Sequence, residues 1–150
     1  MEHKYIAADL FIEGYNCAQS VFMAFCDLTG FTKEEAAKIS STFGAGIGGY
    51  REVCGAVSGM ALVLGHLYGY DSPTDQETKK KTYSEIHSLL EQFEEKNGSI
   101  ICRELLKNIT VDKNPSPRTA EYYAKRPCAR FVMVAAELLD DFIAKNPHSN

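Results

Sequence analysis

The sequence is bounded first by what it lacks. The run without formal charge that follows Glu52, Val53–Gly65, is 13 residues long, well short of the roughly 20 apolar residues a membrane span requires. There is no Cys-x-x-Cys, so no thioredoxin-type dithiol is encoded locally. Without Cys-x-x-Cys-His, covalent haem attachment has no support, and ferredoxin cysteine spacings are also missing. No segment sustains period-two alternation, so strands are not expected. No polybasic patch or charged tail is present, and the 150 residues carry a net charge of −4, which argues against a nucleic-acid surface. No internal repeat or low-complexity segment divides the chain, so residues 1–150 are expected to form a single domain. The first residues lead into no signal-peptide hydrophobic core, so a cytoplasmic location is expected.

What is present centres on residues 43–69. Phe43-Gly44-Ala45-Gly46-Ile47-Gly48-Gly49 is a turn rich enough in glycine for several residues to sit at positive φ. The chargeless run then reads as a helix, about 53–69, buried on most sides. Val53, Val57, Met60, Leu64 and Leu67 make one large apolar stripe. Cys54, Ser58, Ala61 and Gly65 make a stripe of small residues beside it. Gly55 and Gly59 sit one turn apart on a third. Glycine inside a helix costs roughly 0.5–1 kcal/mol against alanine, so three of them imply close packing by another element or room kept around a thiol.

The other segments read as helices packed around this one. A short helix over 4–12 ends at Gly14. Asn16 caps a helix from Cys17 to about Leu28, with Ala18, Val21, Phe22 and Phe25 facing the core. Thr32 and Glu35 have capping-box spacing, so a helix follows to about Thr42. Ser72 or Thr74 caps an amphipathic helix over about 75–96, with Tyr83, Ile86, Leu89, Leu90 and Phe93 inward and Lys79, Lys80 and Lys81 solvated. Asn97-Gly98 stops it. Ser99 caps a shorter helix over 100–108, on which Cys102, Leu105, Leu106 and Ile109 share a face. Residues 110–118 form a loop, 119–125 a short helix or turn in which Tyr122 and Tyr123 pack, and a last helix runs to about Lys145. Its inward stripe is Cys128, Phe131, Val132, Ala135, Leu138, Leu139 and Phe142. The expected fold is all-α, a bundle of six to seven helices around the central one.

Five cysteines in a cytoplasmic chain point to metal binding or redox chemistry rather than a disulfide framework. Cys17, Cys54, Cys102 and Cys128 each fall in the first turn or so of a predicted helix. Unpaired N–H groups and the helix dipole lower a thiol pKa there, and Arg51, Arg103, Arg126 and Arg130 lie nearby in sequence. Cys26 lacks that placement and lies half a turn of the wheel away from Cys17, so it stands outside the set. The Gly44-x-Gly46-x-x-Gly49 match follows a helix rather than a strand and fails the context of a dinucleotide loop. His66 and His87 read as ordinary helical histidines, the latter on the inner flank of its helix, and His3 and His148 as solvated.

With these residues in place, the chain resembles the C-GCAxxG-C-C family, whose members are described as redox-active. The resemblance rests on Cys17 in Gly14-Tyr15-Asn16-Cys17-Ala18-Gln19, on Cys54-Gly55-Ala56-Val57-Ser58-Gly59, on Cys102 in Gly98-Ser99-Ile100-Ile101-Cys102-Arg103, and on Cys128, and it covers nearly the whole chain. It implies four functional cysteines, Cys17, Cys54, Cys102 and Cys128. The leading expectation is thiol–disulfide or electron-transfer chemistry by this cluster, as in a thiol–disulfide oxidoreductase. Cys54 is the favoured attacker, because the glycine turn leaves space beside it, and a second cysteine resolves the mixed disulfide. The alternative is a metal-binding protein that holds zinc or an iron–sulfur cluster with the same four thiolates. Buried, inert thiols form a third reading. The electron partner is a redox protein or a small-molecule substrate, no nucleic acid or membrane insertion is expected, and there is room for a homo-oligomer.

Overall fold

The computed structural model describes residues 2–107, 117–125 and 127–147, and over these it is all-α. The chain opens with α1 (His3–Glu13), closed by Gly14 in a left-handed conformation. In α2 (Cys17–Ala24), Asn16 accepts from the Gln19 N–H and Gln19 reaches back to the Asn16 N–H, a complete capping box. The helix expected to reach Leu28 breaks at Phe25, whose N–H turns to the Phe22 carbonyl. A four-residue segment, α3 (Cys26–Thr29), follows, so Cys26 also begins a helical turn. The Thr32/Glu35 capping box forms as expected and starts α4 (Lys33–Ser40). That helix ends two residues before Thr42: the Ser40 and Ser41 hydroxyls take the Ala36 and Lys38 carbonyls, and such side-chain bonds compete with helical ones. A 3₁₀ turn, Ser41–Phe43, carries the chain into the glycine-rich segment.

That segment, α5 (Gly44–Ile47), is wound left-handed: Ala45, Gly46, Ile47 and Gly48 all have φ between 56° and 70°. Positive φ extends to residues other than glycine, Ala45, Ile47 and Arg51, each of which bears a steric cost. The turn folds back on itself through bonds from Arg51 N–H to the Ala45 carbonyl and from Glu52 N–H to the Gly46 carbonyl. A Cβ on Gly46 would lie 2.6 Å from the Arg51 Cα, so this position has to be glycine.

The central helix α6 (Gly55–Tyr68) has Cys54 as its N-cap. Ala56, Val57, Gly59, Met60, Val63 and Leu64 are buried, whereas Gly65 and His66 are exposed. The helix is therefore enclosed on most sides only over its first turns, and the third glycine, Gly65, has open space where a side chain would be. Gly55 and Gly59 pack against α2.

Asp75, rather than Ser72 or Thr74, caps α7 (Gln76–Asn97), accepting from Thr78 N–H. The Ser72 hydroxyl is engaged with Thr74 instead. Only the second half of α7 packs, with Leu89 and Phe93 buried; Tyr83 and His87 are exposed, contrary to the inward placement expected of them. Lys79 is half-buried, its ammonium over the Tyr70 and Tyr83 rings. The helix expected over 100–108 contracts to α8 (Cys102–Leu105), because Ile101 is extended and pairs with Val53 in an antiparallel bridge. Ile109 and residues 110–116 lie outside the described residues. After α9 (Ala120–Lys125), α10 (Cys128–Lys145) lays its expected stripe into the core.

Helix α1 packs along α10. Lys4 pairs with Glu137 at 2.6 Å. His3 is not solvated: its ring bonds Asp140 at 2.7 Å and Asp27 at 3.0 Å and stacks on Phe25. His148 lies outside the described residues. Among the described residues, no helix is long and apolar enough to cross a membrane.

Candidate functional site

Four segments far apart in sequence meet at one cavity of about 430 Å³. Each contributes one cysteine from the start of a helix. Cys17 is the first residue of α2, Cys54 the N-cap of α6, and Cys102 and Cys128 the first residues of α8 and α10. All four line the cavity. Cys26 does not; it sits half-buried on another side, its thiol 3.8 Å from the Thr32 carbonyl. All five cysteines are free thiols.

Helix capping places Cys17. Backbone pairing places Cys54 and Cys102. The Cys54 N–H donates to the Ile100 carbonyl at 2.8 Å and the Cys102 N–H to the Glu52 carbonyl at 2.6 Å, on either side of the Val53–Ile101 bridge. Side chains alternate along extended backbone, so with Val53 and Ile101 on one face, Cys54 and Cys102 share the other. A pairing this short leaves no alternation in the sequence, which is why it was not foreseen. The glycine turn supplies the wall beside them through Gly44, Gly48 and Gly49. Across α2, a Cβ on Gly55 would lie 3.1 Å from the Cys17 Cβ, so these segments are in close contact.

The electrostatics differ from the low thiol pKa values that helix starts suggest. The Cys54 thiol is pushed up to about 12, chiefly by burial. The amides of Ala56 and Val57 do pull it down, as a helix N-terminus should, but loss of water outweighs them. The Cys17 thiol is also well above its ordinary range, first because it is hydrogen-bonded to Cys128 and then because of burial. Cys17 as a whole residue is half-buried and its three companions are buried.

The neighbouring cations are distributed differently from their sequence order. The Arg51 guanidinium lies 3.8 Å from the Cys102 sulfur. Arg103 turns away to Glu52 at 2.8 Å, which holds that carboxyl below its ordinary range. Arg130 donates to the Lys96 carbonyl. Arg126 lies outside the described residues. Arg118 and Tyr122 line the cavity as well, and neither was anticipated. Arg118 belongs to the segment read as a loop, where no periodicity indicates which way a side chain points.

Zinc in a closed thiolate cage sits about 2.3 Å from each sulfur, so the four sulfurs would have to converge on one point. Among the described residues, no group of three or more His, Cys, Asp or Glu side chains is arranged to hold a metal ion. The four cysteines as placed share a cavity without forming such a cage.

The family model described as "Putative redox-active protein (C_GCAxxG_C_C)" matches residues 15–142. No curated protein and no solved structure matches the chain.

Proposed function

The chain belongs to this C_GCAxxG_C_C redox-active family, and from that premise we propose that it carries out thiol–disulfide exchange with the four cysteines of its cavity. The observation that carries the reading is the convergence of Cys17, Cys54, Cys102 and Cys128 on that one cavity, where Cys128 lies near enough to Cys17 to raise its thiol. A thiol pair close enough to share a hydrogen bond is a short movement from a disulfide. The neighbouring Cys128 thiol and burial keep Cys17 protonated, which suits Cys17 to the resolving step and leaves the attack to Cys128. Cys128 also begins an 18-residue helix, whose dipole favours negative charge at that end. Cys54, the attacker favoured by its glycine surroundings, is held protonated by burial. Cys54 and Cys102 lie close enough for their charges to act on Cys17.

The Cys128 thiolate attacks one sulfur of a substrate disulfide, whose S–S bond breaks and releases one substrate thiolate. Cys17 then attacks the mixed disulfide and releases the second. The protein loses two electrons and two protons, the substrate gains both, and two S–H bonds become one S–S bond. A reducing, cytoplasmic setting would return the pair to the dithiol form, and a single domain suffices for this chemistry.

The test is oxidation of the reduced protein with one equivalent of diamide under nitrogen, followed by non-reducing peptide mapping. A Cys17–Cys128 linkage, reversed by dithiothreitol, is expected. Absence of any intramolecular disulfide among the four would overturn the proposal.

A further inference from the structure

Among the described residues, the charged side chains on the cavity wall have one sign. Arg51 and Arg118 line it, and its described lining residues include no Asp or Glu. The chain as a whole is biased the other way, with 20 acidic residues against 16 lysines and arginines. Arg118 is firmly held: Nη1 donates to the Phe11 carbonyl at 3.4 Å and Nη2 to the Tyr15 carbonyl at 3.2 Å. Its guanidinium stacks over the Phe11 and Tyr122 rings at 4.7 and 4.8 Å. These partners are all neutral, and among the described residues no carboxylate pairs with it. A guanidinium has five N–H donors and stays charged, so two carbonyl bonds leave donors over. Fixed by its faces and two of its bonds beside apolar walls such as Leu105, Leu106 and Phe131, it is prepared for an anion.

Size limits the occupant. About 430 Å³ falls in the range of small-molecule sites, roughly 300–1,000 Å³, and suits a low-molecular-weight compound. We infer that the cavity takes a small anionic disulfide, its carboxylate seated on Arg118 and its S–S bond presented to Cys128 and Cys17. This rests on the thiol–disulfide reading above and names its substrate class. The exchange is the balanced one already given, with the small disulfide as oxidant and two anionic thiols as products.

The test compares three small disulfides under nitrogen: dithiodipropionate, which is anionic, 2-hydroxyethyl disulfide, which is neutral, and cystamine, which is cationic. Loss of protein thiols and formation of the Cys17–Cys128 linkage are followed, and each rate is divided by the rate of the same disulfide with free dithiothreitol. The anionic disulfide is expected to be favoured over the cationic one by about tenfold or more, the worth of one charge-assisted hydrogen bond. The preference should collapse in Arg118→Gln and persist in Arg118→Lys. In the unaltered protein it should shrink as salt is raised, which keeps the test valid even if Arg118→Gln fails to fold. Equal normalised rates for all three, or a preference untouched by both Arg118→Gln and salt, would overturn this inference while the exchange chemistry stands. Failure of all three to oxidise the pair would overturn both.

Discussion

Gly59 of the central helix rests directly on Ala18 of α2: a Cβ at position 59 would lie 2.8 Å from the Ala18 carbonyl oxygen and 2.9 Å from the Val21 Cβ. Both neighbours are buried parts of a packed helix rather than the ends of flexible side chains. Gly59→Ala should therefore destabilise the protein by about 1–3 kcal/mol, the usual cost of overpacking, despite a helix-propensity gain of about 0.5–1 kcal/mol. Gly65→Ala is the control. Nothing lies within 4 Å of its Cβ position, so only the propensity gain should remain. Urea denaturation of both variants gives the answer, and a Gly59→Ala variant more stable than the parent would contradict the contact.

Burial of Cys54 makes stability depend on alkaline pH. Its folded thiol titrates at about 12 against 9.0 for an ordinary thiol. Above pH 9 the unfolded chain ionises first while the folded chain keeps its proton. The stabilisation is thus complete below about pH 9 and is lost as pH rises towards 12, at about 1.4 kcal/mol per pH unit for one thiol. Cys17, whose thiol is also raised, adds in the same sense. Denaturation midpoints between pH 8 and 10.5 should fall, and Cys54→Ala should flatten the slope. An unchanged slope in the variant would show that Cys54 is not desolvated.

Asn16 holds two ends together. Its side chain caps α2 and donates to the Ser41 carbonyl at 3.0 Å. Asn16→Ala should cost about 1–2 kcal/mol, and alkylation of Cys17 by iodoacetamide should quicken as the first turn of α2 loosens. Unaltered stability with unaltered Cys17 reactivity would show that the cap does not position the thiol.

Chelation should leave the protein intact. With no cage of three or more ligands among the described residues, protein purified without oxygen and dialysed against a strong chelator should keep its melting temperature. A lowered melting temperature, restored by zinc or iron, would favour the tetrathiolate alternative.

The sequence carried the placement of the cysteines because helix starts have local signatures: Asn16 with Gln19 and the glycine turn before Cys54 are both readable residue by residue. It did not carry the charge state of the thiols. A helix start lowers a thiol pKa only while water remains, and whether Cys54 is covered depends on α2, α8 and α10 arriving from elsewhere in the chain. Arg118 was missed for a related reason. Its place beneath Tyr122 and beside the Tyr15 carbonyl follows from tertiary packing of a segment with no pattern of its own. The position of His3 in the chain suggests solvation, yet two aspartates and Phe25 surround it. The inward face given to Tyr83 failed because a helical stripe shows which side of α7 is apolar but not how far along its length a partner extends.

The 51–54 and 100–103 segments that pair beside the cavity close a loop containing all of α6 and α7, and the remaining two thiols arrive from opposite ends of the chain. Closure over such separations comes late in folding, because entropy is lost before the contacts that offset it form. The thiol cluster is therefore expected to assemble after the local helices have formed. Local opening that leaves most helices standing would already separate its members, so thiol reactivity should track the integrity of the whole chain more closely than helix content does. A fragment that lacks either end loses one member of the Cys17 and Cys128 pair. Its chemistry belongs to the completed topology.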